Sequence, residues 1–253
     1  MSRSRISPLR KSPITRWLTW EAIALLTIFV IVVLTEGLSL RAQEASVNPG
    51  INNNFLNPDL DAANWVQRFE IESREVFSAR HDVAEVMAIQ PGDKIADVGA
   101  GTGFYAKLFS ETTGEEGWVY AVDIAPAFLQ HINTQAAAAG ITNLTSVLGG
   151  ETSINLPPES VNIVFTCDTY HHFEYPAKTM ASIHRALKPG GTFVIIDFKR
   201  IEGESSDFIM NHVRAGQDVF RSEIEAAGFE LIEDIDLPSL EDNYLMRFRK
   251  VSK

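Results

Sequence analysis

The spacing of apolar positions changes along the chain, and each change marks an element. From residue 93 onward, short runs rich in β-branched and aromatic residues alternate with stretches whose apolar positions recur every three or four residues. The runs read as strands and the stretches as helices. A first strand, Ile95–Val98, runs into Gly99-Ala100-Gly101-Thr102-Gly103, and a second, Val119–Val122, ends in Asp123. Pro126–Ala139 is a helix with Phe128, Ile132 and Ala136 at intervals of four, stopped by Gly140. Asn143–Leu148 and Val161–Cys167 are a third and a fourth strand. Pro176 opens a helix with the stripe Met180, Ile183 and Leu187. The turn Leu187–Gly191 ends it before a fifth strand, Thr192–Phe198. Ser222–Ala227 closes a last helix, and Glu230–Ile235 and Tyr244–Val251 are strands with no helix between them.

Ahead of this block the pattern is different. Residues 46–60 hold Asn48-Pro49-Gly50, Asn52-Asn53-Asn54 and Asn57-Pro58 and read as an exposed linker, so residues 43–60 are assigned to it. Asp61–Arg80 carries Trp65, Phe69 and Phe77 among charges and reads as one helix, with His81–Ile89 as a second. Residues 61–92 are therefore expected to be helical, and 93–253 to form the α/β domain.

The glycine turn carries the first chemistry. A glycine turn at a strand's carboxyl end lets a ligand approach the backbone, and the helix start that follows offers free N–H groups. Asp123, closing the next strand, can accept hydrogen bonds from ribose hydroxyls. The turn departs from the dinucleotide fingerprint: Phe104 stands where a third glycine packs helix on strand. Asp97, two residues ahead of Gly99, would repel a diphosphate and suits a cationic ligand.

Asp97-x-Gly99-x-Gly101-x-Gly103, the later Asp123, and Leu187-Lys188-Pro189-Gly190-Gly191-Thr192 together resemble the class I S-adenosylmethionine-dependent methyltransferases. The resemblance covers roughly residues 65 to 253. It implies a Rossmann-like, doubly wound seven-stranded α/β sheet with a terminal β-hairpin and a helical N-terminal extension over the cofactor cleft. It further implies S-adenosyl-L-methionine as cofactor. Gly99, Gly101 and Gly103 would present backbone amides, Asp97 the partner of the methionine ammonium, Asp123 that of the ribose, and Ile124 a wall for the adenine. Glu151 is the only acidic residue placed to read the adenine amino group. Asp168, Tyr170, His171 and His172 stand where the family meets the methyl group and its acceptor, with Asp168 on the cofactor side. A histidine can serve as a base near neutral pH if the acceptor must lose a proton, which makes His171 and His172 the candidates. His212 and Arg214 fall in the substrate-capping segment, where an arginine can hold a carboxylate. No Cys or Glu cluster accompanies the histidine pair, so no metal is expected.

Charge narrows the acceptor. The net charge is −11, yet residues 1–42 hold six cations and two acids, leaving 16 cations and 31 acids beyond them. So acidic a body is poorly matched to a phosphate backbone, and no nucleic-acid partner is expected. Strand four ends in Cys167-Asp168-Thr169-Tyr170, not the Asn-Pro-Pro-Tyr of base-amino methyltransferases, and Cys167 follows Thr166 rather than the proline of cytosine C5 enzymes. A small-molecule or lipid-like acceptor is the expectation. With Cys167 the only cysteine, no internal disulfide can form, and compartment is not readable from cysteine.

The N-terminus raises a second question. Residues 1–16 carry five cations and no acid, and Ala22–Leu34 is an uninterrupted uncharged run. This is the layout of a signal peptide or signal anchor within residues 1–42, which would place the body on the extracytoplasmic side. If it is not cleaved, residues 17–34 would contact the membrane; if it is not a functional signal, the protein is cytoplasmic. Export separates the domain from cytoplasmic cofactor. That motivates a rival, a binding module that transfers nothing, and a third reading, an envelope protein methyltransferase.

Overall fold

The computed structural model describes residues 45–251. The segment expected to be a signal or anchor lies outside the described residues. Among those described, no helix is long and apolar enough to cross a membrane.

The helical extension comprises α1 (Ala62–Phe69), α2 (Glu75–Ser78) and α3 (Arg80–Val86). The sheet domain then runs β1 (Lys94–Val98), α4 (Phe104–Thr113), β2 (Trp118–Asp123), α5 (Pro126–Ala139), β3 (Leu144–Leu148) and β4 (Val161–Cys167). One 3₁₀ turn (Tyr170–His172) leads to α6 (Pro176–Ala186), β5 (Leu187–Phe198), α7 (Asp207–His212), α8 (Gln217–Ala226), β6 (Phe229–Ile235) and β7 (Asn243–Lys250).

The seven strands form one sheet in the order β3-β2-β1-β4-β5-β7-β6. The four pairings among β1 to β5 are all parallel, and β7 runs antiparallel between β5 and β6. The strands expected to form a terminal hairpin do pair with each other. Alternate residues feed two apolar layers. Ala96, Val98, Val164, Phe193 and Ile195 face one, and Ile95, Val119, Ala121, Ile163, Phe165, Val194 and Ile196 the other. Helices cover both faces, which is why β1 and β4 read as continuous apolar runs rather than alternating ones. The chain leaves β1 toward β2 and β3 on one side, then returns to β4 on the other. This reversal opens a crevice above the carboxyl ends of β1 and β4, where open α/β sheets bind ligands.

Three expectations need correction. Leu187–Gly191 belongs to β5, although the expected turn survives as an irregularity. Leu187 pairs with Val161 and Thr192 with Ile163, so β5 carries extra residues across one step of β4, with Gly190 at φ +74°. The single helix expected over Asp61–Arg80 is broken after Phe69, because Arg74 turns toward Asp168 of the sheet domain, 2.6 Å away. Residues 46–60 are mostly exposed, as expected, but they are tied to the sheet domain rather than free of it. Val47 N–H donates to the Glu174 carbonyl at 2.9 Å, and the buried Asn52 amide donates to the His172 carbonyl at 3.0 Å, laying this segment over the crevice.

Candidate functional site

The crevice is a cleft of about 590 Å³, within the size range of small-molecule and cofactor sites. Its floor is the β1 turn. Gly99 and Gly103 both have positive φ, and both allow close approaches that a side chain would block. A Cβ at Gly99 would collide with Thr169 of the loop after β4, and one at Gly103 would lie 2.6 Å from Ile132 of α5. Gly103 thus packs α4 against α5 and is not among the cleft-lining residues, contrary to its expected contact with the cofactor. Gly99 and Gly101 do line the cleft. The Gly101 N–H is already engaged, donating to Asp123 Oδ2 at 2.8 Å.

Two carboxylates stand behind this turn. Asp97 is 3 % exposed, and its Oδ2 has no hydrogen-bond partner among the described residues. Burial, reinforced by the nearby Asp123 charge, pushes its pKa up to about 7; the Ala106 backbone amide pulls the other way. Asp123 is pushed to about 6 by burial, although the amides of Ala125, Gly101 and Ile124 oppose the shift. Asp123 Oδ1 accepts from Ala125 N–H at 2.8 Å. Two buried carboxylates lining one cleft, one of them with an unpartnered oxygen, are electrostatically matched to a cation.

Aromatic rings cover the opening. Phe55, Trp65 and Phe69 form a chain with 5.0 Å between successive ring centroids, and each also approaches Phe128 of α5 within 6.3 Å. Phe55 comes from the segment expected to be linker and Trp65 and Phe69 from α1, so the extension does lie over the cleft. Ile124 lines the wall beneath, and the exposed Glu151 lines the cleft beyond β3.

The loop after β4 sorts the remaining candidates. Asp168 lines the cleft in a left-handed backbone conformation (φ +47°), a strain confined to few non-glycine residues. Its oxygens are taken by Arg74 and by the Asn243 amide, both at 2.6 Å, so it serves as a tie between the extension, β4 and β7. Tyr170 is fully buried in the core, and its hydroxyl donates to Glu223 at 3.1 Å. It does not face the cleft, which overturns its expected place at the reacting groups. Arg214 is likewise drawn away. It holds Glu223 through both terminal nitrogens, at 2.9 and 2.6 Å, over the Phe220 ring, and so is not placed to grip an acceptor.

His171, His172 and His212 do line the cleft together. His171 Nδ1 lies 2.8 Å from Oδ1 of the buried Asp197, and its Nε2 is unpartnered among the described residues. His172 Nε2 lies 3.3 Å from His212 Nε2. Burial, with the two other imidazoles close by, holds the His172 pKa at about 2. It is therefore neutral throughout the physiological range and a poor base there, against its expected role. His212 is lowered by burial and by His171.

Sequence reasoning did not single out Asp197, Arg74, Asn243 or Phe55. Asp197 left a trace, a lone acid inside the apolar run Val194-Ile195-Ile196-Asp197-Phe198. The others become visible only once their elements meet.

A doubly wound sheet with a glycine turn and two buried carboxylates at its switch point defines an α/β domain built to hold a small ligand. A family model described as a methyltransferase domain matches residues 96–195. The ubiquinone/menaquinone biosynthesis C-methyltransferase UbiE of Ralstonia pickettii is 27% identical over 114 residues, covering 45% of this chain and 46% of that protein. A protein-L-isoaspartate O-methyltransferase of Fervidobacterium nodosum is 29% identical over 125 residues, 48% of this chain and 59% of that one. The chain spans about half the length of the curated relatives it matches. In fold it resembles a SAM-dependent methyltransferase from Aquifex aeolicus, with a TM-score of 0.67 and 24% identity over 76% of this chain and all of that one. Residues 96–195 are thus similar to methyltransferase domains, and S-adenosylmethionine is the cofactor that this match supports.

The residues present fit that cofactor. The unpartnered Asp97 oxygen and the Asp123 carboxylate suit an ammonium and ribose hydroxyls, and Gly101 leaves the backbone open to the cleft beside the Phe69 ring.

Proposed function

We propose that the chain is an S-adenosylmethionine-dependent methyltransferase acting on a small-molecule or lipid-like acceptor. The observation that carries this is the buried Asp97 carboxylate with an unpartnered oxygen, facing a cleft that also holds Asp123 and the glycine turn. Asp97 takes the methionine ammonium and Asp123 the ribose; Gly99 and Gly101 border them, Ile124 walls the adenine, and Glu151 reads its amino group. The bound cofactor supplies an electrophilic methyl on a sulfonium. What the chain supplies is alignment, the dominant contribution for an in-line transfer. The aromatic cover excludes water and holds the ligand in register.

The acceptor side lies toward His171, His172, His212, Phe198 and the exposed Phe208. Apolar rings around a few nitrogen acceptors suit an acceptor with an aromatic or aliphatic body and a polar reactive end. UbiE by name methylates carbon in quinone biosynthesis, whereas the isoaspartate enzyme by name methylates oxygen on protein. That the chain resembles both about equally supports a shared cofactor half and leaves the acceptor to the cap. If a proton must leave, His171 Nε2, oriented through Asp197, is the lone pair available to take it.

Isothermal titration with S-adenosylmethionine and S-adenosylhomocysteine, with NAD as comparison, tests the cofactor half. Heat with NAD and none with the other two would overturn it. Turnover of labelled methyl with an envelope extract, resolved by size, tests transfer and separates small from protein acceptors. We further propose export or anchoring through residues 1–42, on the cationic start and the apolar run Ala22–Leu34. Cell fractionation with protease accessibility decides it; a protected, cytoplasmic domain would refute it.

A further inference from the structure

The three cleft histidines form a group that the acceptor reading does not fully use. His171 and His172 come from the turn after β4, and His212 from the last turn of α7, 40 residues later. The fold brings one ligating atom of each within 4.8 Å of the others. Between His172 Nε2 and His212 Nε2 the distance is 3.3 Å. Two imidazole nitrogens bound to one tetrahedral ion at the usual 2.0–2.1 Å lie about 3.3–3.4 Å apart, so this pair already stands at ligating separation.

The third nitrogen is oriented for the same purpose. Asp197 is fully buried and accepts from the His171 backbone N–H (3.2 Å) and the Phe198 backbone N–H (2.8 Å) as well as facing His171 Nδ1. A carboxylate so placed keeps the proton on Nδ1 and turns the Nε2 lone pair outward. This is the carboxylate–histidine arrangement that supports metal-bound imidazoles. That Nε2 is buried and has no partner among the described residues, an uncommon state for a buried nitrogen. The expectation of no metal rested on the lack of a Cys or Glu cluster beside the histidine pair; α7 supplies a third imidazole instead.

We propose that His171, His172 and His212 bind a divalent transition-metal ion of the zinc type, leaving a coordination position open to the cleft. Three neutral imidazoles with no carboxylate ligand select borderline ions over magnesium or calcium. A bound ion would spend the His171 lone pair that could otherwise take an acceptor proton. The proposal stands on the histidine geometry alone and does not depend on methyl transfer.

The test uses the full chain stripped with a chelator and titrated with Co²⁺ and, by chelator competition, with Zn²⁺. One ion per chain, with the visible d–d absorption of a low-symmetry Co²⁺ site, is the expected result. His212→Ala should weaken Zn²⁺ binding about 100-fold or more, and Asp197→Asn by about 10–100-fold. His212→Cys should restore binding and add a thiolate-to-cobalt charge-transfer band, which a purely structural His212 could not produce. Absence of stoichiometric Co²⁺ binding would overturn the proposal. So would unchanged affinity in His212→Ala, or His212→Cys without the new band. Those results would leave a hydrogen-bonded imidazole cluster only.

Discussion

Replacing Asp97 with asparagine separates the cost of the site from its use. Asp97 is 3 % exposed, lacks a partner for Oδ2, and carries a pKa of about 7 against an ordinary 3.8. Between these values the unfolded chain has released the proton while the folded chain holds it. Stability of the ligand-free protein therefore falls as pH rises from about 4 to 7, then levels off. A shift of this size corresponds to about 4 kcal/mol, at about 1.4 kcal/mol per unit. Asp97→Asn lacks the titration. Its thermal midpoint should match the parent's near pH 4 and exceed it increasingly up to pH 8. At about 2–4 °C per kcal/mol for a domain of this size, the gap at pH 8 approaches 10 °C. Saturating S-adenosylmethionine should close much of that gap by stabilising only the parent. Calorimetry should show the variant binding the cofactor about 10–100-fold more weakly, the loss of one hydrogen bond to a charged group. A variant less stable than the parent at pH 8, or one that binds the cofactor as well, would refute the assignment of Asp97 as an unpaired carboxylate awaiting a cation.

Other substitutions test neighbouring parts of the argument. Asp123→Ala should weaken cofactor binding by about 1–3 kcal/mol in calorimetry, whereas unchanged affinity would reduce Asp123 to a tie between the Gly101 and Ala125 amides. Gly103→Ala should cost about 1–3 kcal/mol in denaturant unfolding, because the added methyl meets Ile132 in a left-handed turn. Arg74→Met should cost about 3–5 kcal/mol, since it leaves Asp168 buried without its cation; a neutral outcome would show that Asn243 suffices. Tyr170→Phe should lower stability by about 1 kcal/mol with methyl transfer retained, because its hydroxyl serves the half-buried Glu223 away from the cleft.

Much of the architecture was legible before any coordinates. Helix α5 runs from Pro126 to Ala139 as its apolar spacing and flanking proline and glycine indicate, and β4 spans Val161–Cys167 as expected. These elements are local: their signals are periodicity and end residues, which act within a few residues of chain. The glycine turn and Asp123 were legible for the same reason, since the chemistry of a strand end needs only its own sequence. The chain alone therefore determined most of the strands and helices and marked Asp97, Gly99, Gly101 and Asp123, which the fold brings to one cleft. Tertiary packing decided the rest. Tyr170 and Arg214 lie in segments that look functional, yet both turn away from the cleft to Glu223 of α8. Residues 46–60 have a linker's composition, yet Asn52 and Phe55 find partners at His172 across the crevice. His212 joins His171 and His172 only because α7 returns over β5. Such contacts depend on where separate elements meet. Burial then sets their electrostatics, lowering two histidines and raising three aspartates by desolvation that no stretch of sequence carries by itself.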